Sequence, residues 1–151
     1  MKTDMRKCVR VLLAEDDEDH LFLTVRALRE SQGGIQLEVE TVGDGREALD
    51  YMERVGRFQG RHRPHLIILD LKLPKVDGLD VLRRLKEDPE LKEIPVVILT
   101  SSERPEDIAS SYRLGANSYV TKPTTAGAFR DGLEQVRRYW TELSTLPEPA
   151  A

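Results

Sequence analysis

The stretch Leu66-Ile67-Ile68-Leu69-Asp70 places a carboxylate directly after four consecutive apolar residues. A short apolar run that ends at a turn signal predicts a strand buried on both faces, as in the interior of a parallel sheet. Ligands of open α/β sheets bind at the carboxyl ends of the strands. Asp70 is therefore either a site residue or an ordinary turn acid, and the rest of the chain decides between them.

Short apolar runs alternate with segments of helical periodicity along the whole chain. The predicted strands are 9–14, 37–41, 66–69, 96–99 and 118–121, and a segment with helical spacing follows each of them. Strands that alternate with helices predict a mostly parallel sheet with right-handed crossovers and helices on both faces. We therefore predict an α/β fold, a doubly wound five-stranded parallel sheet with five helices, whose strand order the pattern does not give.

Length and charge limit the classes of function. A chain of 151 residues suits one domain, predicted at 1–145, and the aperiodic segment 146–151 with its two prolines is predicted to be a disordered tail. A net charge of -4 argues against binding driven by charge to nucleic acid or to a membrane. Cys8 is the single cysteine, which excludes an intramolecular disulfide. No apolar run approaches the roughly 20 residues that span a bilayer, so we expect a cytoplasmic location.

Polar residues that can do chemistry follow four of the five predicted strands. They are Glu15 and Asp16 after the first strand, Asp70 after the third, Thr100 after the fourth and Lys122 after the fifth. In a doubly wound sheet these positions converge on one edge. Three carboxylates held together repel each other unless a cation neutralises them, and a hard oxygen site suits Mg²⁺ or Mn²⁺. The sequence therefore predicts a divalent metal, with a phosphate as its natural co-ligand.

A carboxylate beside such a metal can act as a nucleophile on phosphorus and form an aspartyl phosphate. Asp70 is the candidate nucleophile. The ammonium of Lys122 would neutralise charge on the phosphoryl oxygens, and the hydroxyl of Thr100 could donate a hydrogen bond to one of them.

The order and spacing of these strand-end residues resemble those of the receiver domain of two-component response regulators. The resemblance covers about residues 9–139. The resemblance implies a flavodoxin-like fold with strand order 2-1-3-4-5 and Asp70 as the phosphoacceptor. It implies that Asp16 and Asp70 ligate the metal directly, Glu15 through water, and Lys72 through its backbone carbonyl. Glu15 replaces the more usual aspartate and Asp17 adds an acid, so which two of the three neighbouring acids face the metal stays open.

The same resemblance implies a switch. Thr100 would move toward a phosphoryl group, and Tyr119 would rotate into the space behind it. The surface formed by the fourth helix, fifth strand and fifth helix would then change. Pro123 would follow a cis peptide bond, and Lys72 and Ser102 would influence the lifetime of the phosphate.

The segments Leu73-Pro74-Lys75-Val76-Asp77-Gly78 and Ile94-Pro95-Val96-Val97 look like those of single-domain regulators associated with bacterial phytochromes. This narrower resemblance implies a histidine kinase as phosphodonor, namely a bacteriophytochrome, and a homodimer formed through the switching surface.

Two other functions remain open. A pseudo-receiver would bind partners without being phosphorylated, although such domains usually lack the acceptor or the lysine, and this chain has both. A phosphatase with an aspartyl-phosphate intermediate also places an aspartate after a parallel strand, but Asp70-Leu71-Lys72 lacks the second aspartate that serves as the acid. A nucleotide site is disfavoured because the turn after the first strand is acidic rather than glycine-rich. We do not expect an enzyme acting on an external substrate.

Three further features have plain interpretations. The arginine-rich segment 51–64, with His62 and with His65 just beyond it, is predicted to be a solvated basic loop rather than a metal site. His20 is predicted to lie on the surface of a helix. Tyr139 and Trp140 either cover the end of the core or form a dimer contact.

Overall fold

The computed structural model describes residues 7–30 and 35–151 of the chain. The predicted domain limits of 1–145 include residues 1–6 and 31–34, which lie outside the described residues. Strands and helices alternate in these ranges as predicted. They are β1 (Lys7–Ala14), α1 (Glu18–Arg29), β2 (Ile35–Val42), α2 (Gly45–Glu53), β3 (Leu66–Leu69), α3 (Gly78–Glu87), β4 (Val96–Thr100), α4 (Pro105–Leu114), β5 (Ser118–Thr121) and α5 (Ala126–Arg138).

The strands form one parallel sheet in the order β2-β1-β3-β4-β5. This order confirms the flavodoxin-like fold that the resemblance implies. β1 and β3 lie next to each other, with Ala14 paired to Leu69 at their carboxyl ends. β4 and β5 also end together, with Thr100 paired to Thr121. The residues that follow β1, β3 and β5 therefore meet at one edge of the sheet, beside the end of β4.

The core lies in two layers, one on each face of the sheet. All four residues of β3 are buried, as its continuous apolar sequence predicts. Ile67 and Leu69 pack toward α2 and α3, whereas Leu66 and Ile68 pack toward α1 and α5. Because helices cover both faces of the central strands, the polar side chains of these strands can reach solvent mainly at the strand ends.

Side-chain caps fix where several helices begin. Asp17, Asp44 and Asp77 precede α1, α2 and α3, and the carboxylate of each accepts hydrogen bonds from backbone N–H groups of the first turn. Thr125 does the same for α5. Since all four caps lie at the carboxyl edge of the sheet, they also shape the loops around the predicted site.

The arginine-rich loop is solvent-exposed over most of its length, as predicted, but Phe58 and Arg63 pack against the domain. It contains a short 3-10 turn (Gly56–Phe58), and the Phe58 ring is buried 5.2 Å from the ring of Tyr51. Arg63 is also buried and reaches Glu90 at 3.1 Å. Arg63 can be buried because its acidic partner comes from a distant part of the chain, which local sequence does not reveal.

His65 is buried at the opposite edge of the sheet from the strand ends. Its Nδ1 accepts a hydrogen bond from the backbone N–H of Arg10 at 2.9 Å, and its Nε2 lies 3.3 Å from the carboxylate of Glu148. This ring belongs to the packing between β1 and the start of β3. It therefore carries a structural role and does not lie at the acidic strand ends.

The end of the chain continues α5 and then folds back. A π-helical turn (Tyr139–Leu143) follows α5. Trp140 is partly buried against the α1/α5 layer, whereas the Tyr139 side chain is half-exposed. The segment 146–151 has neither helix nor strand, and Leu146 contacts the same layer. Trp140 thus covers the core, and the disorder of 146–151 stays a prediction.

Candidate functional site

Three predicted site residues directly follow strands, and a fourth ends one. Glu15 follows β1, Asp70 follows β3, Lys122 follows β5, and Thr100 is the last residue of β4. Backbone hydrogen bonds extend the sheet by one residue here, since the N–H of Asp70 donates to the Ala14 carbonyl at 3.1 Å. Likewise, the N–H of Lys122 donates to the Thr100 carbonyl at 2.8 Å. The sheet itself therefore fixes these backbones.

Lys122 connects two of the carboxylates. Its ammonium donates to Glu15 Oε1 at 2.5 Å and to Asp70 Oδ2 at 2.8 Å. The other oxygen of Asp70, Oδ1, accepts from the backbone N–H of Lys72 at 3.1 Å. The side chains of Lys122, Glu15 and Asp70 are all buried. Buried charges are tolerated when they are paired in this way, so the site is held together by its own ion pairs.

Glu15, Asp16 and Asp70 form a candidate metal centre. Each offers a carboxylate oxygen, and these atoms all lie within 4.8 Å of one another. Glu15 and Asp70 are buried, while Asp16 is exposed and opens the cluster to solvent. Three carboxylates against one ammonium leave an excess of negative charge that a divalent cation balances, and oxygen donors suit such ions. The donor set therefore fits divalent metal binding.

Asp17 takes a different role, which narrows the choice that the sequence leaves open. Its Oδ1 accepts from the backbone N–H groups of Asp19 at 2.9 Å and His20 at 3.0 Å, as the cap of α1. The hydrogen bond from the His20 backbone is the main cause that lowers the pKa of Asp17. Glu15 and Asp16, rather than Asp17, therefore join Asp70 in the acidic cluster.

At this cluster, burial and ion pairing shift the pKa values of Glu15 and Lys122 in opposite directions. Burial raises the pKa of Glu15 to about 7, because the hydrogen bond from Lys122 does not offset the loss of hydration and the nearby charge of Asp70. Burial alone would lower the pKa of Lys122, but its hydrogen bonds to Asp70 and Glu15 outweigh that effect and raise the pKa. The lysine is therefore firmly cationic, and a proton competes with other cations for Glu15.

Thr100 is fully buried and carries an unpaired hydroxyl. Among the residues that the structure describes, none forms a hydrogen bond with Thr100 Oγ1. A buried hydroxyl without a partner costs about 1–3 kcal/mol, so such groups are uncommon in native proteins. The hydroxyl belongs to the last residue of β4, at the edge of the sheet where Asp70 and Lys122 meet.

Tyr119 lies on β5 and contacts the loop after β4. Its hydroxyl donates to the backbone carbonyl of Ser102 at 2.8 Å, and its ring packs against the α2/α3 layer. Burial is the largest of the causes that raise the pKa of this phenol. The Ser102 hydroxyl in turn donates to Asp107 of α4 at 2.5 Å. Tyr119, Ser102 and α4 are thus linked by hydrogen bonds two residues beyond Thr100.

The structure differs from the sequence analysis at His20 and Pro123. His20 is half-buried, and its Nδ1 lies 3.0 Å from Lys122 Nζ, so its prediction as a surface residue is wrong. The capped start of α1 turns residue 20 toward the strand ends, and Asp17 was the sequence signal for that start. The described ranges contain no cis peptide bond, so the expected cis bond before Pro123 is also wrong. Trans is the ordinary form, favoured by about 0.5–1 kcal/mol.

No helix within residues 7–30 and 35–151 combines the length and the apolar character needed to cross a bilayer.

Known proteins resemble this chain over most of its length. Residues 11–134 match the family described as "Response regulator receiver domain". The chain is 37% identical over 137 residues to "Response regulator Rcp1" of Synechocystis, covering 91% of this chain and 92% of the relative. It is 38% identical over 140 residues to the "Probable methanogenesis regulatory protein FilR2" of Methanothrix harundinacea, covering 93% and 88% of the two chains.

Two solved structures are close in shape. The Mn(2+)-bound form of Rcp1 aligns with a TM-score of 0.89 at 37% identity, over 92% of this chain and 99% of that chain. The phosphorylated cyanobacterial phytochrome response regulator RcpA aligns with a TM-score of 0.87 at 39% identity, over 92% and 98%. With this fold, these strand-end residues and a family match across most of its length, the chain belongs to the response regulator receiver domain family.

Proposed function

We propose that this receiver domain accepts a phosphoryl group on Asp70 from a histidine kinase. The observation that carries the proposal is the buried ion pair between Asp70 Oδ2 and Lys122 Nζ at 2.8 Å, beside the carboxylates of Glu15 and Asp16. This arrangement sets a nucleophilic carboxylate next to a cation that can neutralise phosphoryl charge.

In the transfer step an oxygen of Asp70 forms a bond to phosphorus, and the bond from phosphorus to the donor histidine breaks. The electron pair of that bond leaves with the imidazole. Lys122 moves from the Asp70 oxygen to a phosphoryl oxygen, and the free hydroxyl of Thr100 donates to another, which satisfies its missing hydrogen bond. In the reverse direction, water attacks phosphorus and the bond to Asp70 breaks, which releases phosphate and restores the carboxylate.

Glu15, Asp16 and Asp70 would hold a divalent cation, Mg²⁺ under cellular conditions, with the Lys72 backbone carbonyl as a further ligand. When bound, the ion would neutralise negative charge on the attacking carboxylate and on the phosphoryl oxygens. The oxygen atoms within 4.8 Å of one another support this assignment, as does the Mn(2+)-bound form of Rcp1. The exposed carboxylate of Asp16 leaves the site open for a phosphodonor.

The output would be a change of the α4-β5-α5 surface. Movement of Thr100 toward the phosphoryl group would open space behind it, and Tyr119 would exchange its hydrogen bond to the Ser102 carbonyl for an inward position. Because Ser102 is bonded to Asp107 of α4, this change would reach the helix. A homodimer formed through the same surface would sense the change directly.

The similarity to RcpA supports a phytochrome histidine kinase as the phosphodonor, since RcpA is a phytochrome response regulator. The similarity covers 92% of this chain and 98% of RcpA. We therefore propose a light-sensing kinase as the partner.

Intact-mass measurement with acetyl phosphate and Mg²⁺ tests the phosphoacceptor proposal. We expect wild type to gain the mass of one phosphoryl group and to lose the gain when a chelator removes the metal. Asp70→Asn should gain nothing, whereas Asp80→Asn, an aspartate on the surface of α3, should behave as wild type. A wild type that stays unmodified both here and with phosphorylated phytochrome kinase would favour a pseudo-receiver and overturn the proposal.

A further inference from the structure

His20 contacts the lysine of the phosphoacceptor site, although it belongs to a different helix. Its Nδ1 lies 3.0 Å from Lys122 Nζ. A lysine ammonium has three donors and no acceptor, so a hydrogen bond between these atoms requires Nδ1 to be the acceptor. His20 is then the neutral imidazole whose proton is on Nε2.

The ring and the backbone of His20 each have a packing or hydrogen-bond partner. It lies against the buried Phe129 ring of α5, with ring centroids 5.5 Å apart and a tilt of 55°. Its backbone N–H donates to the capping carboxylate of Asp17 at 3.0 Å. The contact between α1 and α5 therefore places the imidazole where its Nδ1 meets the lysine.

The three acceptors around Lys122 differ in one respect. Glu15 and Asp70 belong to the acidic cluster and would share their charge with a bound cation, whereas His20 lies outside that cluster. An ion that draws on the carboxylates weakens their hold on the ammonium. The hydrogen bond from the ammonium to the imidazole of His20 is then the one that the cation does not weaken.

We propose that His20 is a positioning residue that keeps the Lys122 ammonium beside Asp70 while a divalent cation occupies the acidic cluster. The inference rests on the proposed phosphoacceptor function. Lysine has a flexible four-carbon stem, and an ammonium that is already oriented needs no reordering when the phosphoryl group arrives. Because Lys122 keeps its other acceptors, the loss of this one hydrogen bond should correspond to about a three- to tenfold effect on rate.

Two substitutions separate the acceptor from the packing. His20→Leu keeps an apolar side chain against Phe129 but removes the acceptor. His20→Asn restores an acceptor, because the Asn Oδ1 occupies nearly the place of the imidazole Nδ1. His62→Leu, in the exposed part of the arginine-rich loop, is the matched control for loss of a histidine.

The rate of phosphorylation by acetyl phosphate at saturating Mg²⁺ is the first readout, with the Kd for Mg²⁺ measured separately. We expect His20→Leu to be about three- to tenfold slower with a Kd within about twofold of wild type. His20→Asn and His62→Leu should be close to wild type. A wild-type rate for His20→Leu overturns the proposal, and so does a His20→Asn as slow as His20→Leu, which would indicate packing alone.

The second readout needs no phosphorylation. In ¹⁵N NMR of the histidine rings without metal, at a pH where the rings are neutral, Nδ1 of His20 should give the signal of an unprotonated, hydrogen-bonded nitrogen. Lys122→Met should shift that signal. An Nδ1 that carries the proton, or a signal that Lys122→Met leaves unchanged, overturns the contact. If wild type is not phosphorylated by any donor, the proposed function fails, and this measurement still decides the role of His20.

Discussion

The backbone carbonyl of Asp70 lies so close to Gly78 that a β-carbon at residue 78 would be 2.2 Å from the Asp70 oxygen. The Gly78 N–H also donates to the Leu71 carbonyl at 2.8 Å. The first residue of α3 is therefore packed directly on the backbone of Asp70, the proposed phosphoacceptor. Only a residue without a side chain permits this approach.

Gly78→Ala should damage both stability and phosphorylation. The added methyl group overlaps backbone atoms that cannot move without shifting Asp70, and overpacking of this kind costs about 1–3 kcal/mol. Urea denaturation should show this loss, and phosphorylation by acetyl phosphate should slow. Gly132→Ala is the matched control, because nothing lies within 4 Å of its added carbon in α5. It should be neutral or stabilising by about 0.5–1 kcal/mol. Equal stability of the two variants would contradict the packing described above.

The affinity for Mg²⁺ should fall below neutral pH. Metal binds the ionised carboxylate, and the pKa of Glu15 is raised to about 7 by burial. Glu15 is about half ionised at that pH and about one-tenth ionised one unit lower, so the affinity should drop about fivefold from pH 7 to pH 6. Binding at pH 7 should also release about half a proton per metal ion, since Glu15 is about half protonated there.

Isothermal titration calorimetry in buffers of different ionisation enthalpy measures both effects. Glu15→Gln cannot ionise, so its metal affinity should be weaker and should vary less over the same pH range. A wild-type affinity that is constant between pH 6 and pH 7 would show that Glu15 does not limit binding.

Thr100→Val should stabilise the unphosphorylated protein. The substitution replaces a buried hydroxyl that has no partner among the described residues with a methyl group, which removes a desolvation cost of about 1 kcal/mol. The free energy of unfolding measures the gain. Thr141→Val is the matched control, because the Thr141 hydroxyl donates to the Arg137 carbonyl at 2.6 Å and its loss should destabilise. A destabilised Thr100→Val would mean that the hydroxyl has a partner in solution.

Tyr119→Phe should release the link between β5 and the loop after β4. It removes the hydrogen bond to the Ser102 carbonyl, which contributes about 0.5–1.5 kcal/mol. Hydrogen exchange of the loop and the start of α4 should accelerate in the unphosphorylated variant. Tyr112→Phe alters a half-exposed tyrosine of α4 and should leave exchange unchanged. If the hydrogen exchange of the loop were unchanged in Tyr119→Phe, the Tyr119 hydroxyl would have no part in holding the loop.

Much of this site was predictable because its residues follow strands. An apolar run such as 66–69 predicts a buried strand, and parallel strands end at one edge, so Asp70 and Lys122 could be brought together from sequence alone. The burial of Arg63 could not, since its partner Glu90 lies in a distant segment. The contact of His20 with Lys122 depends on the rotation of α1 about its axis, which the Asp17 cap fixes. The spacing of residues in the sequence does not define that rotation closely enough to predict the contact.

The most direct test of the account is to locate the phosphoryl group. Borohydride reduces an acyl phosphate of aspartate to homoserine, and peptide mass spectrometry then identifies the residue. After treatment with acetyl phosphate and Mg²⁺, or with a phosphorylated phytochrome kinase, we expect homoserine at position 70 and at no other aspartate. Homoserine at another position, or a phosphorylated protein with an intact Asp70, would contradict it.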